Sequence, residues 1–390
     1  MALITGEMWE VETNIPSGYN FASNTLSPTG LSGTITFTRS TTAIFRDSAR
    51  RFQLAAVDAP RFDYDSGGVQ RGLLIEGSRT NKCTNYNLNP DAALTNISAS
   101  AGTLDRVNDA ANIPFSGGVV GGNVFHLNNT TGAAVTITVV GVTGNTNPHS
   151  IRVFARFTGT APTLQLTGAA GAVACSNAYA ETKSNNITPG TAADQWQLVI
   201  PAGTEVWFLG CQLEEAAFVS SPIETSGLAT IRADDLATSS IIYPLPSEWS
   251  LVIDGITAPG IGSTNDQHLF DVNDETTSNR FRISRTLTSR NISVVSSVGG
   301  VTTITSIISN NFPDSSRIKI SLTVFGSSVR VSINGGAVQS LSGAVASTLF
   351  RKMSFGKNIS NLTHLYGWFK GYKEFRGPLS DSELVAKSTL

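Results

Sequence analysis

The sequence predicts an all-β chain: a turn-rich N-terminal segment, two successive antiparallel β units and one short C-terminal helix. Three observations carry this expectation. Short apolar/polar alternations recur along the chain. Turn residues, 36 glycines among them, break these runs roughly every 8 to 12 residues. Helical amphipathic periodicity is nearly absent. The composition agrees. Hydrophobic residues make up 40% of the chain, enough to build cores and to exclude disorder. Charged residues are 14%, well under the roughly 25% usual in soluble proteins. The net charge of −2, from 27 basic and 29 acidic residues, excludes a strongly basic nucleic-acid binder, because no surplus of Lys and Arg can displace phosphate counterions. At 390 residues the chain exceeds what one growing core accommodates, so two or three domains are expected.

Residues 34–38 open the strand series, with Ile35 and Phe37 on one face and Thr36 and Thr38 on the other. The same alternation runs through 134–140, 150–156, 163–167, 195–200 and 205–209. It returns at 248–253, 280–284, 318–324 and 328–333, and each run reads as a half-buried antiparallel strand. Asn334-Gly335 supplies the positive φ angles of a tight hairpin turn. Ser380 followed by Glu383 forms a capping box that opens a helix through Leu384 and Val385. The turn-rich beginning covers 1–88, a first β unit 89–240, and a second 241–390. Ala233 to Ser240, followed by Pro244 and Pro246, reads as the linker between the two units.

Cys83, Cys175 and Cys211 are too few and too widely spaced for a disulfide framework or a zinc site. They read as buried, reduced thiols of a chain that folds in a reducing cytosol. Glu7 and Glu10 stand where a secretory signal needs a basic start and an apolar run. No stretch approaches the roughly 18 apolar residues of a membrane span, so membrane insertion is not expected.

Three composite motifs resemble modular bacteriophage and prophage virion proteins, a group that includes tail fibres, receptor-binding proteins and head fibres. The first combines Phe37-Thr-Arg-Ser-Thr-Thr-Ala43, Ala59-Pro-Arg-Phe-Asp-Tyr-Asp65 and Arg71-Gly-Leu-Leu-Ile-Glu-Gly-Ser-Arg-Thr-Asn81, and is similar to their leading segment. The second, Gly210-Cys-Gln-Leu-Glu214 with Ser220-Ser-Pro-Ile-Glu-Thr225 and Ile231-Arg-Ala-Asp-Asp235, is similar to the closing strand and exit of a jelly-roll carbohydrate-binding module. The third, Gly367-Trp-Phe-Lys-Gly-Tyr-Lys-Glu-Phe375 with Leu379-Ser-Asp-Ser-Glu-Leu384, resembles the last strand and terminal helix of a concanavalin-like, laminin-G-like sandwich. Cys211, where the family often has Ala, and Lys82-Cys83, where an apolar pair is common, depart from the pattern without touching the β alternation.

The resemblance implies a jelly roll over 89–240, a concanavalin-like sandwich over 241–390 and a segment, 1–88, that docks to other virion proteins. It further implies a homotrimer on a virion assembled in the host cytoplasm, adhering to host cell-surface polysaccharide. Two other roles stand beside adhesion: a purely structural decoration or fibre-base protein, and a polysaccharide depolymerase.

The chemistry is read residue by residue. No strand carries the alternating acids that would place two carboxylates for glycoside cleavage. Glu214 and Glu215 are adjacent and point to opposite faces. His126, His149, His268 and His364 show no triad or metal spacing, so no enzymatic activity is expected. Asp271, Asn273 and Asp274 offer hard oxygen ligands for calcium, but a plain turn between 268–272 and 280–284 explains them better. No other cofactor is expected.

Sugars are held by aromatic faces and planar polar side chains. Trp249 shares parity with Leu251 and Ile253, and Trp196 and Trp207 with Leu198 and Leu209, which predicts core for all three. Trp368 is opposite in parity to Gly367 and Phe369 and stands beside Lys370 and Tyr372, so it is expected to be the exposed tryptophan, at a sugar platform or a subunit interface. Arg280, Arg282, Arg285 and Arg290 alternate around one hairpin, which suits either an acidic polysaccharide or a solvated strand face. The candidate carbohydrate-binding residues are therefore Trp368, Tyr372, Arg280 and Arg282.

Overall fold

Alternation marks strands without saying which lie side by side; register decides that. The computed structural model describes residues 17–24, 33–84, 96–225, 227–241, 245–257, 266–286, 289–308, 310–359 and 364–390, with positions 26, 28, 29, 88, 90 and 94. They form two antiparallel β-sandwiches, so the all-β expectation holds.

The larger sandwich has a nine-stranded sheet in the order Pro28–Thr29, Ser17–Asn20, Gly367–Phe375, Trp249–Ile256, Arg317–Phe325, Ser328–Ile333 and Gln339–Ser342. The hairpin of Phe62–Tyr64 and Gln70–Ile75 attaches to Gly367–Phe375. Opposite lies a seven-stranded sheet in the order Val301–Ile308, Ile292–Val298, Arg280–Arg285, Gln267–Asn273, Lys352–Phe355, Leu236–Ser240 and Ile35–Thr38. The apolar faces meet in one core that includes Phe37, Leu73, Phe270, Phe281, Phe355 and Phe369. Trp249 is fully buried there, as its parity requires, and its Nε1 donates to Ser347 Oγ at 2.7 Å. Asn334 and Gly335 turn the chain with φ of 50° and 74°. The helix Asp381–Ser388 begins with the Ser380/Glu383 capping box.

The smaller sandwich pairs two five-stranded sheets. One runs Leu104–Asn108, Asn123–Asn128, Glu205–Glu214, His149–Thr158 and Ala180–Ile187. The other runs Val173–Ala174, Thr163–Leu166, Gln195–Ile200, Val135–Val142 and Ile97–Ala99. Trp196, Phe125 and Phe208 fill its core, and the three cysteines are buried and free.

Strand pairing crosses both boundaries expected at 88 and 240. Residues 35–38 pair with 236–239, and 73–75 pair with 367–369, so the leading segment supplies strands to the larger sandwich. The expected linker contributes Leu236–Ser240 to the same sheet. Residues 1–16 and Pro244 lie outside the described residues. The smaller sandwich is thus an insertion. Its outgoing strand, Arg79–Asn81, pairs with its returning strand, Thr230–Arg232. Sequence adjacency could not show this, because the two strands lie about 150 residues apart along the chain.

The joint is held by buried charge. Asp235 pairs with Arg39 at 3.1 Å and with Arg61, and both its oxygens are consumed. Arg61 also pairs with Glu76 at 2.9 Å, and Arg232 reaches the same Glu76 at 3.0 Å. Glu76 further accepts from the Ser221 amide at 2.8 Å and the Ser221 hydroxyl at 2.6 Å, at the exit of the smaller sandwich. Burial alone would raise the Glu76 carboxyl, but Arg232 and Arg61 hold it down at about 2. The Phe62–Tyr64/Gln70–Ile75 hairpin seats tightly beside this network, because Gly72 has φ 115° and a Cβ there would lie 2.0 Å from the Phe369 carbonyl oxygen.

Removing one partner from a buried pair leaves an uncompensated charge. Asp235→Ala should therefore lower the unfolding free energy by about 3–5 kcal/mol, read as a fall in the guanidinium midpoint. Because the folded Glu76 value lies below the unfolded one, its contribution is complete above about pH 5 and is lost as pH falls toward about 2. Glu76→Gln should flatten the acid limb of the stability profile over that window.

Candidate functional site

Register brings together several residues that the sequence leaves scattered. On the outward face of the seven-stranded sheet, Asn273 stands opposite Arg280, Asp271 opposite Arg282, and His268 opposite Ser284. Lys352 and Ser354 continue the first two rows on the next strand. Asp271 and Asn273 are fully buried, while Arg280 and Arg282 are half-buried. The other two arginines of the hairpin are engaged by Asp314, Arg285 at 2.6 Å and Arg290 at 3.1 Å. Arg280 and Arg282 have no ion pair among the described residues, and the Nε of each lacks a hydrogen-bond partner.

Asp271 only partly compensates them. Its Oδ1 accepts from Asn273 Nδ2 at 2.6 Å, and burial raises the carboxyl above its ordinary value despite the two arginines. His268 Nδ1 and Ser284 Oγ, both buried, have no hydrogen-bond partner among the described residues. Burial, then Arg282 and Arg280, hold the His268 imidazole down at about 3, so it is neutral at physiological pH. The face therefore presents two guanidinium forks backed by a neutral ring and a hydroxyl, an arrangement suited to carboxylates and sugar hydroxyls. His268 and Ser284 were missed in the sequence. Their only signal was parity with the arginine strand, and a bulge between His268 and Phe270 hides it on one side.

The calcium candidates do not converge. Asp274 spends its carboxylate on the turn, accepting from Thr276 N at 2.9 Å and Asn279 Nδ2 at 2.7 Å, whereas Asp271 and Asn273 sit on the sheet face. Among the described residues no group of three or more His, Cys, Asp or Glu is placed to hold a metal ion.

The aromatic candidates need correction. Trp368 is buried, not exposed: its strand pairs edge to edge with Gln70–Ile75, and side chains of that hairpin flank its ring. Its Nε1 donates to Asp63 Oδ2 at 2.9 Å, and the Arg71 guanidinium lies 4.5 Å from its ring centroid. Tyr372 is core, stacked on Phe270 with centroids 5.5 Å apart, because the strand bulges near Gly371 and brings Tyr372 inward with Phe369. Neither tyrosine nor tryptophan joins Arg280 and Arg282. Trp207 is half-buried. Val206 and Phe208 take the inner face, which leaves Trp207 outward under Arg156, whose guanidinium is 3.7 Å from its ring.

Trp368 instead lines a cleft of about 180 Å³ at the joint between the sandwiches, with Arg46, Asp63, Tyr64, Arg71, Glu181 and Tyr366 among its walls. Burial raises the Asp63 carboxyl, and Lys183 and Arg152 hold Glu181 down at about 2 against the effect of its own burial.

No protein-family model matches the chain, and no curated protein matches it. Among solved structures it is similar to the carbohydrate-binding module CBM40 of the IT-sialidase of Ruminococcus gnavus, bound to alpha2,3 sialyllactose. That similarity is 17% identical, covers 38% of this chain and 84% of the other, and has a TM-score of 0.32. Domain 4 of AbnA, a GH43 extracellular arabinanase of Geobacillus stearothermophilus in complex with arabinotriose, is 11% identical over 44% of this chain and 82% of that one, at TM-score 0.31. The tandem CBM22-1-CBM22-2 domain of Paenibacillus barcinonensis Xyn10C is 9% identical over 73% and 93%, at TM-score 0.23. These similarities are partial, and the architecture described above rests on the strand pairing.

An NMR titration should find His268 neutral from about pH 8 to about pH 5, where an ordinary histidine titrates near 6.5. A midpoint near 6.5 would instead mean a solvated ring.

Proposed function

We propose that this chain is a non-enzymatic glycan-binding protein that holds acidic sugar residues of a host cell-surface polysaccharide. The observation that carries this reading is the pair Arg280 and Arg282, half-buried on adjacent rows of one sheet face and without ion-pair partners among the described residues. A guanidinium fork matches a carboxylate bidentately, and two of them along a strand match successive charges on a polymer. Neutral His268 and Ser284 add hydroxyl-directed hydrogen bonding without further charge. Binding without turnover is supported by the carboxyl content of these rows: they hold one carboxylate, Asp271, where glycoside cleavage uses a pair.

The setting we propose is a bacteriophage virion carrying the chain as a homotrimer, so that weak contacts are multiplied by about 10² to 10⁴ through avidity. Support for that setting is the resemblance of the three motifs. Five charged residues of the first two motifs, Arg39, Arg61, Glu76, Arg232 and Asp235, are those of the buried joint.

Calorimetric titration with an acidic polysaccharide should give binding that neutral glycans lack, and Arg282→Ala should weaken it about tenfold, the value of one charge-assisted contact. Equal binding of neutral and acidic glycans sinks the reading, and release of reducing ends would make the chain a depolymerase. Antibody labelling of intact particles checks the virion setting, and sedimentation equilibrium checks the trimer.

A further inference from the structure

The joint cleft goes beyond the sheet face and does not depend on it. All four carboxylates that line the cleft already have protein partners. Asp63 accepts from the Arg46 amide at 2.8 Å and from Trp368 Nε1 at 2.9 Å. Asp65 accepts from the amides of Gly67 and Val69 at 2.8 and 2.9 Å. Glu76 belongs to the ion-pair network, and Glu181 is paired with Arg152 and Lys183, each at 2.8 Å. The cations do not balance in the same way. Arg152 and Lys183 are taken by Glu181, whereas the side chains of Arg46 and Arg71 have neither an ion pair nor a hydrogen bond among the described residues.

Each of these two guanidiniums is laid on a ring instead. Arg46 lies 4.6 Å from the Phe52 centroid and Arg71 4.5 Å from that of Trp368. Stacking fixes the plane of a guanidinium and leaves its edge, with the N–H donors, open to a planar anion. Burial acts most on Arg46, followed by the attraction of Glu181 and Asp63 and then by the repulsion of Arg152 and Arg71; an anion at the open guanidinium edges relieves that last contribution.

We propose that the joint cleft binds the carboxylate of a single acidic sugar unit between Arg46 and Arg71. Its volume of about 180 Å³ sets the size. Below the roughly 300 Å³ of pockets that hold drug-sized ligands, it takes one ring and not a chain. Tyr64 and Tyr366 supply apolar wall for the ring carbons. The unit is either a free sugar acid or the terminal residue of a polysaccharide.

The test uses the full chain carrying Arg280→Ala and Arg282→Ala, so that failure here leaves the sheet-face reading untouched. Calorimetric titration should show glucuronate binding and glucose not binding, and Arg46→Gln or Arg71→Gln should each weaken glucuronate by about tenfold. A chain that binds none of glucuronate, galacturonate and N-acetylneuraminate at millimolar concentration overturns the proposal, as does unchanged affinity in the arginine variants. Phenylglyoxal modification of the same chain, with Arg46 and Arg71 intact and mapped by mass spectrometry, separates binding from folding. Glucuronate should slow modification of both residues, and an unchanged rate also overturns the proposal. Competition by a polysaccharide ending in the acid assigns the site to chain ends; glucuronate binding without such competition assigns it to the free acid.

Discussion

Arg61, buried between Asp235 and Glu76, is the contact on which the rest of this molecule depends. A guanidinium without access to water is tolerable only if carboxylates of matching geometry reach it, and these two come from segments on either side of the insertion. Asp235 recruits Arg39 from the leading segment, and Glu76 recruits Arg232 from the returning one. Ser221 closes the set from the smaller sandwich. Because each charge is compensated only when all segments are seated, the network selects one assembly of the two sandwiches over any looser one. Hydrophobic packing on either side of the joint does not discriminate in that way.

The two candidate sites follow different rules of construction. The Arg280–Arg282 face is made by register within one sheet: once strands 267–273 and 280–285 pair, the polar rows are set. The joint cleft is made by tertiary seating. Asp63 and Arg71 arrive on the hairpin of the leading segment, Arg46 on the short Ala43–Arg46 strand, and Arg152 and Glu181 on the smaller sandwich. The first tolerates change elsewhere in the chain, and the second is as sensitive as the network beneath it.

What could be read in the sequence depended on how local its cause was. Period-two alternation reports the faces of a strand, so the strands at 195–200 and 328–333 and the buried positions of Trp196 and Trp249 were legible. The capping box and the Asn334-Gly335 turn are satisfied within a few residues and were legible too. Trp368 was misplaced because parity shows only that it leaves the core, and Asp63, which takes its ring N–H, is some three hundred residues away in sequence. Tyr372 and Trp207 were misplaced because parity resets at a bulge and because both faces of a sheet can be covered. The motifs marked the charged residues of the joint individually but carried no information about which acid meets which base. The division at 88 and 240 rested on composition, whereas the strands that cross it are joined by register alone.

The pairing of Arg79–Asn81 with Thr230–Arg232 has a consequence of a different kind. The smaller sandwich leaves and rejoins its host at one two-stranded seam, so both of its ends are side by side. Beyond that seam the insertion is tied to its host by Ser221 on Glu76 and by Phe115 and Phe154 packed against Phe52. The host sandwich closes its own core without the intervening residues, so replacing the insertion means matching one ribbon, one serine and one aromatic cluster. Modularity here is a property of where two strands touch, not of where a linker lies.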